Sequence, residues 1–200
     1  MKFLRNYIEK QKNKSFWAWV SDILFGLFVL AMLIPSTRTP LMVFIKKISM
    51  FSPSVSVDDH YGKLSSSDYQ WQIKDDKGNI LQLKSFQGKP IFINFWATWC
   101  PPCIAEMPAI TALEKDYSDK VYFLLVSNEN HQITERFLKD KELTIKTYQA
   151  YSQPPKLLSS KSIPTTFIVN KDGEILVKKT GSSNWNGESV RELLDKLIAE

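Results

Sequence analysis

The chain has 200 residues, 44% of them hydrophobic, which is enough to bury one ordinary core and leave a remainder. Its net charge of +5 is unevenly placed: residues 1–67 carry 9 Lys and Arg against 4 Asp and Glu, whereas residues 68–200 carry 17 of each. A neutral body on a basic arm is not the footprint of a phosphate-binding surface, so nucleic acid is excluded as a partner.

Lys2, Arg5, Lys10, Lys12 and Lys14 make residues 1–15 a basic N-terminus. Phe16–Ile34 follows, apolar except for Ser21 and Asp22, and reads as a transmembrane anchor. A helix of that stretch is roughly 28 Å long, close to a bilayer core, with Trp17 and Trp19 where interfacial aromatics sit. The basic excess before it places the N-terminus in the cytoplasm and the rest of the chain outside the cytoplasmic membrane, on the periplasmic side. Asp22 opposes this reading, because a charge at mid-membrane costs about 2.5–3.5 kcal/mol. A cleaved signal peptide is the rival, but Pro35-Ser36-Thr37-Arg38 offers no small-x-small cleavage site. A buried soluble helix would need a polar face, which this stretch lacks.

Pro35 and Pro40 end the helix, and residues 35–67 read as an interfacial segment followed by a Ser- and Asp-rich tether. From Asp68 the pattern becomes that of a packed domain. Tyr69–Ile73 and Ile80–Leu83 flank Asp75-Asp76-Lys77-Gly78-Asn79 as a hairpin. Ile91–Trp96 suits a buried central strand, and a helix is expected over Pro102–Tyr117, bent at Pro108. Val121–Val126 is a second buried strand and Gln132–Lys139 a second helix. Thr166–Val169 and Ile175–Lys179 form a closing pair across Asp172-Gly173, and Gly187–Ala199 is an amphipathic helix. The order gives a mixed α/β sheet covered on both faces.

The two cysteines are spaced Cys100-Pro101-Pro102-Cys103, after a predicted buried strand and at the start of a predicted helix. A helix N-terminus stabilises a thiolate, and this spacing lets the second sulfur reach the first. Cys100 is then the attacking nucleophile and Cys103 the resolving thiol. Structural packing by both cysteines does not account for the strand–CxxC–helix context. A zinc site would need two further ligands, and His60 and His131 lack the spacing, so no metal is expected.

Phe92-Ile93-Asn94-Phe95-Trp96-Ala97-Thr98-Trp99-Cys100-Pro101-Pro102-Cys103 resembles the active-site strand and turn of thioredoxin-fold proteins. The continuation Ile104-Ala105-Glu106-Met107-Pro108, with the anchor, is most similar to the TlpA/ResA-like branch of extracytoplasmic thioredoxins. A second match is Ile163-Pro164-Thr165-Thr166-Phe167, and the resemblance spans roughly residues 68–200. It implies a thioredoxin fold with an N-terminal β-hairpin extension, and a cis Pro164 beside the disulfide that, with Ile163, supports the substrate backbone. Thioredoxins proper carry a buried aspartate six residues before the first cysteine, where this chain has Asn94. Glu106 lies one turn beyond Cys103, where the TlpA/ResA-like branch often has a glutamate near the thiols, and the resemblance implies that it takes over proton handling; the alternative is a solvated carboxylate on the helix face.

Pro101 and Pro102 have no N–H, which reduces the donors near Cys100 and shifts the pair towards reducing behaviour. Strong dithiol oxidants lie near −120 mV and thioredoxin near −270 mV, about 7 kcal/mol apart, and the expectation is the reducing end. Trp96 is assigned to the core. Trp99 is expected to shield the thiol and, with Pro101 and Pro102, form a substrate-docking surface. Trp185 is given no role beyond packing. The reading is a thiol–disulfide oxidoreductase acting on protein substrates, with no cofactor besides the Cys100–Cys103 disulfide and a membrane-embedded thiol carrier as natural electron donor. A net dithiol oxidant, a Cu(I)-binding or delivery module using both thiolates (which a further Met or His ligand would favour, Met107 being near in sequence but of unknown direction), and a peroxidase are the other readings.

Overall fold

Alternation along the central strand decides which face of the sheet holds the chemistry. In β3 (Ile91–Trp96), Phe92 and Trp96 point into the hydrophobic cluster that contains both cysteines, while Ile91 and Ile93 point into a second cluster on the opposite face. Asn94 lies between Phe92 and Trp96 and therefore shares the cysteine face.

The structure is a computed structural model that describes residues 16–34, 43 and 61–200. It divides into two units, Met1–Met42 and Val43–Glu200. The described part of the first unit is α1 (Phe16–Leu33), an 18-residue helix. Its apolar side chains stand open, Phe25 being 69% exposed and Leu24 61%. Among the described residues, no helix is long and apolar enough to cross a membrane. The expected span of Phe16–Ile34 is cut short at Leu33, and 18 residues make roughly 27 Å against a hydrocarbon core of about 30 Å. The basic arm, His60 and most of the interfacial segment and tether lie outside the described residues.

The second unit is built on one seven-stranded mixed sheet, ordered β2-β1-β5-β4-β3-β6-β7. Its other elements are β1 (Gln72–Lys74), β2 (Ile80–Gln82), α2 (Pro101–Tyr117), β4 (Tyr122–Ser127), α3 (His131–Asp140), β5 (Thr147–Ala150), β6 (Thr165–Val169), β7 (Ile175–Thr180) and α4 (Glu188–Ala199). Strands β3, β4 and β5 run parallel, and β6 pairs antiparallel with both β3 and β7. This is the mixed α/β arrangement the resemblance implied. Side chains from α2, α3 and α4, including Ile110, Leu138 and Leu194, pack in the cysteine cluster. The other face is closed by short 3-10 turns and the segment leading into β1, through Leu64, Tyr69, Leu83, Phe86 and Leu158.

Four differences from the expected elements have local causes. The predicted first strand shrinks to Gln72–Lys74, because Asp68–Gln70 turns as a 3-10 helix around the Ser65 and Asp68 side chains. Strand β5 has no counterpart among the expected elements; its four residues are mostly half-buried and carry no alternating pattern. It joins the β1–β2 hairpin to the parallel strands. Residues 61–64, read as the end of the tether, already belong to the sheet: the Tyr61 N–H donates to the Ile175 carbonyl, Lys63 bridges to Glu174, and Leu64 is buried. Helix α2 runs uninterrupted through Pro108, which lies on its exposed side.

Candidate functional site

Strand β3 delivers the chain to the edge of the sheet at Trp96, and α2 begins five residues later at Pro101. Cys100 is the N-cap of α2, with Pro101 and Pro102 occupying the first two helical positions. Proline is favoured there because those N–H groups have no helical acceptor. Cys100 and Cys103 are joined in a disulfide with Cα atoms 5.3 Å apart. The Cys103 amide donates to Cys100 Sγ at 3.3 Å. With two prolines ahead of it, that amide is the first backbone donor in the helix. Cys100 is 3% exposed and Cys103 fully buried, so Cys100 holds what access the pair has.

The loop between strand and helix is tied down by a residue to which the sequence reading assigned nothing. Glu129 accepts the Thr98 amide at 2.6 Å on Oε2 and the Thr98 hydroxyl at 2.7 Å on Oε1. The cause is register: Trp96 pairs with Ser127, and two residues further Thr98 faces Glu129. No sequence signal marks Glu129 before that pairing is known.

Pro164 arrives at the same sheet edge from the other side of β3. Thr165 pairs with Phe95, and the Ile163–Pro164 peptide bond is cis, as the resemblance implied. Pro164 is buried, and Ile163 packs against the cysteine cluster. A cavity of about 580 Å³ opens between the ends of β3, β4 and β5, lined by Trp96, Trp99, Glu129, Tyr151 and Ile163 among others. Trp99 is 70% exposed, so most of its ring faces solvent at the rim of that cavity. Trp96 is core, as expected, at 2% exposed.

Glu106 is not the solvated carboxylate of the alternative reading; it is fully buried. Its Oε1 accepts the Asn94 side-chain amide at 2.8 Å, and the same amide nitrogen lies 2.8 Å from Thr166 Oγ1. Its Oε2 accepts the Ser183 backbone amide at 3.1 Å and the Trp185 indole N–H at 2.9 Å. Burial lifts the carboxyl from 4.5 to about 7, and the three donors pull the other way without cancelling it. A carboxyl in that range exchanges protons readily at neutral pH. Glu106 and Cys103 stand three residues apart on α2, hence on one helix face.

The site thus brings together Cys100, Cys103, Glu106, Pro101 and Pro102 on α2, with Pro164, Ile163 and Trp99 around the same sheet edge. Trp185 has a polar contact that packing alone does not describe. Among the described residues no group of three or more His, Cys, Asp and Glu side chains is placed to hold a metal ion. Met107 is buried in the cysteine cluster.

The Redoxin family model matches residues 53–197. The thiol-disulfide oxidoreductase ResA of Halalkalibacterium halodurans is 32% identical over 140 residues, 64% of this chain and 73% of that protein. ResA of Bacillus cereus is 32% identical over 114 residues, 54% of this chain; the match spans 65% of that relative's length, just under two thirds. A crystal structure from Bacteroides vulgatus, itself provisionally assigned as a thiol-disulfide oxidoreductase, superposes with a TM-score of 0.53 at 32% identity, covering 64% of this chain and 91% of that one.

Proposed function

The chain belongs to the Redoxin family, as a TlpA/ResA-like member of the thioredoxin superfamily, and on that footing we propose that it reduces disulfides in protein substrates through Cys100 and Cys103. The observation that carries this reading is the Cys100–Cys103 disulfide at the N-terminus of α2, with Cys100 Sγ accepting the Cys103 amide. A helix N-terminus is where a thiolate is held at low cost.

In the reduced protein the Cys100 thiolate attacks one sulfur of a substrate disulfide. A mixed disulfide forms, and the substrate's other sulfur leaves as a thiolate and takes a proton from solvent. Glu106 accepts the proton of Cys103, one helical turn away. The Cys103 thiolate then attacks Cys100 Sγ, which closes the internal disulfide and frees the second substrate sulfur. Two electrons pass to the substrate, and a second thiol pair must restore the reduced form; a membrane-embedded dithiol carrier suits an anchored exchanger.

The cap supports this direction. Pro101 and Pro102 supply no N–H, so the Cys103 amide is left as the near backbone donor to Cys100. A weakly stabilised thiolate disfavours the reduced form and makes the pair a better electron donor. Pro164 and Ile163 support the substrate backbone, and Trp99 with the two prolines forms the docking rim.

Helix α1 attaches the domain to the cytoplasmic membrane on its extracytoplasmic side. Support for this comes from its exposed apolar surface and the basic residues before it. A helix slightly short of the bilayer is accommodated by local thinning and by flanking side chains.

Replacing Cys103 by Ser tests the reading, because mixed disulfides on Cys100 then cannot resolve. Covalent complexes with envelope proteins, reversed by dithiothreitol, are the expected result. Recovery of none, while the wild type still exchanges thiols, contradicts a protein-substrate role.

A further inference from the structure

Trp185 sits in the connection between β7 and α4, far in sequence from the cysteines, yet it is fully buried and its indole N–H donates to Glu106. Its ring meets Phe92 of β3 edge-on, with centroids 5.3 Å apart. That packing fixes the indole plane, so the N–H is aimed at Oε2 at 2.9 Å. The Ser183 amide of the same connection reaches the same oxygen at 3.1 Å, which makes this segment a two-donor clamp on one side of the carboxylate. Asn94 of β3 holds the other oxygen.

We infer that Trp185 is a positioning residue for Glu106, holding the carboxylate form in the orientation from which it exchanges the proton of Cys103. The inference deepens the proposed proton-handling role and rests on it for its catalytic consequence. Among the described residues the groups that reach Glu106 are the Asn94 amide from β3 and the Ser183 N–H and Trp185 indole from the β7–α4 connection, and Cys103 lies one turn before it on the same helix. Among the described residues no charged side chain acts on the Glu106 carboxyl, which is governed by desolvation and these three donors. Removing a donor to the ionised form therefore favours the protonated form directly.

The test uses the full chain and two readouts. In wild type, the Trp185 indole N–H resonance should titrate with the midpoint of the Glu106 carboxyl carbon. In Trp185→Phe, which keeps a ring against Phe92, that carboxyl midpoint should rise by about one pH unit, a loss of carboxylate that approaches about tenfold at pH well below both midpoints. In Glu106→Gln the indole resonance should be indifferent to pH. The resolving step, followed as closure of the internal disulfide, should show its acid limb displaced upward in Trp185→Phe and absent in Glu106→Gln. An indole resonance that ignores pH in folded wild type overturns the inference without needing any variant. So does a carboxyl midpoint that moves by less than about 0.3 pH unit in Trp185→Phe. If the midpoint moves as expected while Glu106→Gln keeps the acid limb, Trp185 positions Glu106 as inferred and it is the proton-handling role of Glu106 that fails.

Discussion

Replacing Glu106 by Gln should change how stability depends on pH, by an amount the site itself sets. The Glu106 carboxyl lies at about 7 when folded against an ordinary 4.5, with burial as the cause. Folding therefore favours the protonated group. The stability this confers is fully present below about 4.5 and is lost as pH rises through about 7. At about 1.4 kcal/mol per pH unit, that interval corresponds to a loss of about 3 kcal/mol in the wild type across pH 4.5 to 8. Glu106→Gln cannot titrate and should lack this component. It carries a different cost, because Asn94, Ser183 and Trp185 all donate, so the new amide NH₂ must face one of them. That mismatch does not vary with pH and cancels when slopes are compared. Urea unfolding of both proteins at intervals from pH 4.5 to 8 measures the difference. Two curves parallel to within about 0.5 kcal/mol would refute the buried, proton-exchanging carboxyl.

Three further outcomes are expected. Glu129→Ala removes both acceptors of Thr98 and should lower stability by about 1–3 kcal/mol, with faster hydrogen exchange at the Thr98 amide; an unchanged Thr98 amide would refute the tether. Trp99→Ala, at a side chain 70% exposed, should shift stability by less than about 0.5 kcal/mol while raising KM for a protein disulfide more than it lowers kcat; an unchanged KM removes Trp99 from the docking surface. The full chain should float with lipid vesicles, and Leu24→Arg combined with Phe28→Arg should abolish flotation, since each charge costs about 2.5–3.5 kcal/mol in a bilayer; flotation of the double variant would count against α1 as the attachment.

The residues nearest the chemistry were legible because their signals are local. Cys100-Pro101-Pro102-Cys103 after an apolar run needs only the neighbouring strand and helix to be read, and the Ile163-Pro164 turn is a contiguous motif. Glu106 was singled out by its spacing from Cys103 together with the resemblance, but its burial was not, since that depends on Asn94 across the α2–β3 contact and on a connection some 80 residues later. Trp185 was read as packing for the same reason: its ring does pack against Phe92, and the second task of its N–H is a tertiary fact. Glu129 emerges only once β3 and β4 are paired in register. Strand β5 and the pairing of residues 61–64 with β7 stayed hidden because short, half-exposed edge pieces take their conformation from their partners. In the N-terminal stretch the apolar run was plain, and the structure trims it by one residue at Ile34.

In the proposed reaction electrons leave this protein through Cys100, and Cys103 completes the transfer. Mixing the reduced chain with a model protein disulfide and labelling free thiols at timed intervals before mass spectrometry tests it most directly. One substrate disulfide should be opened for each Cys100–Cys103 disulfide formed. Cys103→Ser should stop at a one-to-one adduct on Cys100, and Cys100→Ser should leave the substrate intact. Substrate reduction that persists in Cys100→Ser, or a reduced wild type that stays reduced beside the disulfide, would contradict it.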